Sequence, residues 1–203
     1  NALADVVWGN TSPAGRLPIE FPRRTGAVPH TYSEYPGGRP ADPDLSKDTN
    51  RFMDIPITPL FPFGHGLSYS SFDYSDLQSS VFEDGQIELS TTITNIGDVD
   101  ADEVVQLYMR DPLATIARPK HELRGFTRVS IPAGESRQVS FTVSPDQTAL
   151  YRVGSGWVVE PGQIDFMIGA SAEDIRSKTS VTLTHDRSTG IPASAIETGI
   201  RIK

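Results

Sequence analysis

The chain contains no cysteine. That excludes a disulfide framework, thiolate catalysis and any cysteine-based zinc site. Positive charge is also in short supply: 18 Lys and Arg stand against 26 Asp and Glu, for a net charge of −8. Nucleic-acid binders need a basic face to neutralise phosphates, so no nucleic-acid partner is expected, and anionic membranes suit this chain no better. Long hydrophobic runs are missing too; none approaches the roughly 18 residues that span a bilayer, and no stretch reads as a signal peptide. His30, His65, His121 and His185 are scattered, with no HExxH pairing, and no G-x-S-x-G elbow is present. Neither zinc hydrolysis nor an α/β-hydrolase triad is therefore expected, and no cofactor or metal is called for.

What the chain does have is globular: 203 residues, 37% hydrophobic and 22% charged, enough for one large domain or one and a half ordinary ones. It begins at Asn1, and NALADVVWG reads as the tail of an amphipathic helix closed by Gly9, which suggests a piece of a longer polypeptide. RLPIEF (16–21) can extend, but Pro18 removes a backbone donor and restricts it to an edge or an irregular pairing. Residues 22–62 are rich in proline and glycine and nearly free of periodicity. So long a structureless stretch in a compact domain should either be functional or drape over a neighbour.

Alternation then takes over. Ile87, Leu89, Thr91 and Ile93 share one face of a strand, as do Val105, Leu107 and Met109. The pattern recurs at Val139, Phe141 and Val143, at Ile164, Phe166 and Ile168, and at Val181 and Leu183. Period two with polar residues between marks strands buried on one side. Turn residues separate them at 83–85, 95–98, 132–135 and 160–162. With 72–79 and 123–131 added, about seven strands result, which fits an antiparallel immunoglobulin-like sandwich without the cysteine pair. The last segment, 186–203, fits a short strand and a loose end equally well.

Three motifs carry a family resemblance: GNTSPAGRLPIEFPR at 9–23, LFPFGHGLSYSSF at 60–72 and RDPLATIARPKHELRGF at 110–126. In this order, over positions 1 to about 185, the chain resembles the C-terminal part of a family 3 glycoside hydrolase of the β-glucosidase or β-xylosidase kind. The resemblance implies a mainly β fold: a fibronectin type III-like sandwich at 69–185, preceded at 1–68 by the loop-rich C-terminal end of an α/β sandwich domain and followed by a tail at 186–203. In that family the nucleophile and the acid/base carboxylate lie upstream of the matched region, so no catalytic residue is expected here and the chain alone should be inactive. The implied partner is the N-terminal catalytic portion of the same enzyme, and the implied substrate of the assembly is a β-linked oligosaccharide with a terminal glucosyl or xylosyl residue. The loop at 110–119 looks closest to bacterial members, which points to a periplasmic or secreted enzyme.

Retaining hydrolysis needs two carboxyl groups about 5–5.5 Å apart. The acidic clusters here, such as Asp98, Asp100, Asp102 and Glu103 or Glu173 and Asp174, sit at turns and read as solvated. The run at 98–103 also lacks the sixth-position glycine and closing glutamate of an EF-hand loop. The candidate substrate contact is Arg51, Phe52 and Asp54, which resembles the R-[YF]-x-D segment that precedes FPFG in the family. A guanidinium and a carboxylate can bond sugar hydroxyls and a phenyl ring can stack on a pyranose, but the same residues can equally form a local ion pair that holds the loop. Tyr74, Tyr108, Tyr151 and Trp157 are possible platform aromatics, with burial the default for Tyr108 and Trp157. The loop at 111–123, with Arg118, Lys120 and His121, should dock on an acidic neighbour. Gly64, His65 and Gly66 read as a tight turn and packing at the junction. A different reading of the whole chain is a stand-alone carbohydrate-binding or structural β-sandwich module, against which stands the apolar face of Leu3, Val6, Val7 and Trp8.

Overall fold

The computed structural model describes residues 1–38, 52, 54–184, 186–190, 192 and 197–203. Strands begin where the alternation begins. β1 (Phe72–Val81), β2 (Ile87–Asn95) and β5 (Ser136–Val143) form one antiparallel sheet. The other is built from β4 (Glu122–Ile131), β3 (Ala101–Arg110), β8 (Gly162–Gly169) and β9 (Ile175–Leu183), in that order. These are the seven strands the sequence implies, three facing four. Register follows the hydrophobic faces: Leu89 lies opposite Phe141, and Met109 opposite Phe166. One cluster fills the space between the sheets, with Ile87, Leu89, Ile93, Val105, Leu107, Phe141, Phe166 and Ile168 fully or almost fully buried.

Four further short strands escaped the periodicity. β6 (Leu150–Arg152) and β7 (Gly156–Val159) form a hairpin that β10 (Arg187–Ser188) extends, and β11 (Gly199–Ile202) joins the open edge of β5. Of the two alternatives for the end of the chain, 199–202 takes the ordered strand. Its pairing is continued by Gln138 N–H donating to the Lys203 carbonyl at 2.9 Å.

β3 departs from simple alternation. Its core face carries Val105, Leu107 and Met109, yet Val104, Gln106 and Tyr108 on the other face are buried as well. They are covered by the N-terminal arm, whose regular elements among the described residues are α1 (Ala2–Val7) and a 3-10 turn at Thr25–Ala27. α1 is capped by the Asn1 side chain and closed by Gly9 at φ 79°, the left-handed position glycine favours. RLPIEF forms no strand; among the described residues its one ladder contact is the bridge between Phe21 and Phe61.

Candidate functional site

The arm is laced to the sandwich through two proline-punctuated segments that pair with each other first. Leu17 N–H donates to the His65 carbonyl at 2.9 Å, Gly64 N–H to the Leu17 carbonyl at 2.8 Å, and Phe21 N–H to the Phe61 carbonyl at 2.9 Å. Pro18 and Pro62 can donate nothing, so the pairing stays irregular. The paired segments then sit on β3 and its neighbours. Gln106 donates through Nε2 to the carbonyls of Gly64 (3.2 Å) and Ala170 (2.6 Å) and accepts from the Tyr108 hydroxyl at 2.6 Å. Ala172 N–H donates to the Phe63 carbonyl at 3.0 Å. Tyr32 stacks on Phe63 with centroids 4.2 Å apart and meets Tyr108 edge-on at 5.9 Å. Burial holds the Tyr108 hydroxyl protonated, with its pKa pushed far up.

At the end of this seam a charged group lies where the sequence suggested a solvated turn. Glu103 is 3% exposed, within β3. One carboxylate oxygen accepts from Arg16 at 2.8 Å and the other from the Tyr74 hydroxyl at 2.8 Å, while the Arg176 guanidinium lies 5.7 Å from the Tyr74 ring centroid. Burial raises Glu103 above the usual carboxylate range, against the opposing pull of Tyr74, Arg16 and Arg176; it raises Tyr74 well above its usual value too. Such a pair holds one geometry more than it adds stability, because desolvating both charges offsets most of their attraction. In sequence the only sign was that Glu103 keeps the parity of Val105 and Leu107.

Two of the three candidate sugar-binding residues, Phe52 and Asp54, are among the described residues. Arg51 falls outside the described residues. Phe52 is 36% exposed, and the Asp54 carboxylate pairs with Arg24, both side chains about three-fifths exposed. The ion pair is thus made 30 residues back in the chain, across the arm. Arg23 Nε donates to the Thr58 carbonyl at 3.0 Å beside it. Beneath this loop His30 bridges Glu20 and the Ile57 carbonyl, each at 2.7 Å. Neither Glu20 nor His30 stood out in the sequence, since each is an isolated polar residue in an irregular stretch.

The other candidates divide. Tyr74 and Tyr108 are buried and offer no platform. Tyr151 and Trp157 pack edge-on at 73° on the β6–β7 hairpin, so their rings share no plane. The 111–123 loop docks within this chain. Arg118 is buried, donating to Glu122 and to the carbonyls of Thr148 and Ala149, and Lys120 pairs with Glu34 of the arm. His65 stacks on Phe61 at 5.1 Å as part of the seam. Among the described residues no group of three His, Asp or Glu is arranged to hold a metal ion, and no helix is long and apolar enough to cross a membrane.

The structure is thus a three-on-four β-sandwich with an N-terminal arm docked on the outer face of β3. Residues 1–69 match the Glycosyl hydrolase family 3 C-terminal domain and residues 103–172 the Fibronectin type III-like domain. The chain is 36% identical over 180 residues to the periplasmic beta-glucosidase of Salmonella typhimurium, covering 87% of this chain and 24% of that protein. To a putative beta-xylosidase of Formosa agariphila it is 39% identical over 188 residues, 90% of this chain and 23% of that one. The crystal structure of the Listeria innocua beta-glucosidase in complex with glucose superposes with a TM-score of 0.82 at 34% identity, over 89% of this chain and 25% of that one. The chain belongs to glycoside hydrolase family 3 and corresponds to its C-terminal region, spanning about a quarter of the length of these relatives.

Proposed function

We propose that the chain serves as the C-terminal portion of a retaining β-glucosidase that releases terminal, non-reducing β-D-glucosyl residues from β-linked oligosaccharides. In this reading residues 1–68 complete an α/β sandwich domain, 69–185 form the fibronectin type III-like brace, and 186–203 are a tail whose 199–202 segment closes the edge of β5. The catalytic pair belongs to the N-terminal portion, the natural partner of the arm, and the chain alone does not hydrolyse substrate. Arg51, Phe52 and Asp54 contribute to the rim of the sugar site, with Asp54 anchored by Arg24. A periplasmic or secreted location is part of this reading, supported by the similarity to the periplasmic beta-glucosidase of Salmonella typhimurium.

The observation that carries this reading is the state of α1. It buries none of its residues, and Leu3, Val7 and Trp8 are 73%, 63% and 77% exposed. A helix of six residues is not stable in water without an apolar surface to pack on. The test is a graft of this chain in place of the C-terminal quarter of the Listeria innocua enzyme, assayed on p-nitrophenyl β-D-glucoside beside the truncated enzyme and the chain alone. Activity in the graft only is expected. Hydrolysis by the chain alone, or a folded graft without activity, would overturn the reading.

A further inference from the structure

Three stretches of the arm, at Glu20, His30 and Ile57, meet at the His30 ring. Its Nδ1 lies 2.7 Å from Glu20 Oε2 and its Nε2 2.7 Å from the main-chain oxygen of Ile57. An ionised carboxylate and a carbonyl both accept, and neither donates. Neutral imidazole has one N–H and satisfies one of them; only the cation satisfies both. We propose that His30 is a pH-operated clasp, whose imidazolium fastens the 54–58 loop to the arm and whose loss of a proton releases Ile57.

The surroundings favour the charged form. The Glu20 side chain is almost wholly buried, and its Oε1 has no hydrogen-bond partner among the described residues, so the His30 ring is the neighbour its carboxylate bonds. Glu34 and Glu173 are the other acidic groups acting on this cluster; Lys120 is the cation, and it pairs with Glu34. Burial alone would lower His30, but the hydrogen bonds to Glu20 and Ile57 and the charges of Glu20 and Glu34 outweigh it and leave the ring raised. Glu173 is raised by burial and by Glu20, with His30 pulling the other way. A raised folded-state value means that the clasp's contribution is fully present below the ordinary histidine value of about 6.5. It is lost as pH rises through the folded value. Arg23 and Arg24 hold the same loop by exposed contacts, which water and salt weaken. Opening therefore starts at Ile57 and carries Phe52 and Asp54 with it. The clasp rests on this chain's geometry alone; its effect on sugar binding rests also on the proposed rim.

The experiment reads the His30 ring by 15N NMR and backbone hydrogen exchange across 54–61 between pH 5.5 and 9, corrected for intrinsic rates. The ring is expected to carry protons on both nitrogens at pH 6 and to titrate above 6.5. Exchange at 54–61 should rise about tenfold through the same midpoint while β2 and β3 stay unchanged; tenfold corresponds to losing one hydrogen bond to a charged group. Glu20→Gln, whose amide can donate to a neutral Nδ1, should drop the midpoint below 6.5 and keep the loop protected, whereas His30→Gln should exchange quickly at every pH. A ring already neutral at pH 6, or loop exchange indifferent to pH and to His30→Gln, would overturn the clasp. A midpoint seen in exchange, together with an unchanged KM for His30→Gln in the graft above, would leave the clasp standing and sink the rim.

Discussion

Gly64 packs directly against the buried Gln106 of β3, and replacing it by alanine tests how the arm and the sandwich are joined. Its φ of 77° is left-handed, which costs an L side chain about 1–2 kcal/mol. A Cβ there would also fall 2.8 Å from Gln106 Cδ and Nε2, and closer still to Oε1. A free glutamine would swing away, but this one is 3% exposed and holds two carbonyls and a hydroxyl. Moving it breaks bonds that contribute about 1 kcal/mol each and strands the buried Tyr108 hydroxyl. The expected loss is therefore about 4 kcal/mol, a large share of the 5–15 kcal/mol of an ordinary domain. Gly134 supplies the control: its φ is 75°, and nothing lies within 4 Å of its added Cβ. Gly134→Ala should cost only the backbone part, about 1–2 kcal/mol. Urea unfolding of wild type and the two variants, compared at constant m, gives the difference directly. The two alanine variants should differ by about 2–3 kcal/mol, and adding Gln106→Ala to Gly64→Ala should recover part of it. If they agree within about 0.5 kcal/mol, the seam is not fixed by close packing at Gly64 and the reasoning fails.

Arg16→Met leaves Glu103 with the Tyr74 hydroxyl alone, and uncovering a buried carboxylate should cost about 3–5 kcal/mol in urea unfolding; a loss below about 1 kcal/mol would show the pair to be solvated. Glu103 is raised in the folded state by burial, so its contribution is fully present below the unfolded value of about 4.3 and lost as pH rises through the folded one. Relative to Glu103→Gln, wild type should therefore gain stability as pH is lowered from 7 toward 4.5, and a difference flat with pH would contradict the burial. Removing residues 199–203 uncovers the edge of β5, so hydrogen exchange should accelerate at Gln138 and the amides that face β11 but not at those that face β2; uniform acceleration would mean that the tail supports the whole sandwich. In the Listeria graft, Phe52→Ala and Asp54→Asn should raise KM several-fold with little change in kcat, as loss of uniform binding does. Unchanged kinetics would leave Asp54 as Arg24's partner and nothing more.

How much of this could be read in the sequence depended on how local the signal was. The seven sandwich strands were legible because each buries one face, and that prints period two directly into residues such as Val139, Phe141 and Val143. β6, β7 and β10 run two to four residues, too short for a period to register. β11 has no buried face at all; Ile200 and Ile202 stay partly exposed, and the strand exists only because β5 offers an unpaired edge. Gly64 and Gly66 were readable as turn glycines. What they turn against was not, since an added Cβ at Gly66 would meet Arg16 and the Gly15 carbonyl some fifty residues away.

The arm shows where sequence reading fails and why. Its bonds join positions remote in sequence, Arg24 to Asp54, Glu20 to His30, Arg16 to Glu103, and no periodicity links their ends. Glu103 was placed among solvated turn carboxylates on the strength of its acidic neighbours, yet its strand parity aims it inward toward Arg16 and Tyr74. The loop at 111–123 was expected to dock on an acidic neighbour. Lys120 does meet Glu34 on the arm, but Arg118 turns back into its own sandwich to serve Glu122 and two carbonyls. For such charges composition indicates that partners exist, and only the fold decides which. Among the described residues the arm is thus held by a few polar contacts, such as Arg16 to Glu103 and Lys120 to Glu34, together with the stacking of Tyr32 and Phe63 against Tyr108. That makes it the part of the chain whose attachment responds first to pH and to single substitutions, while the sandwich core beneath it does not.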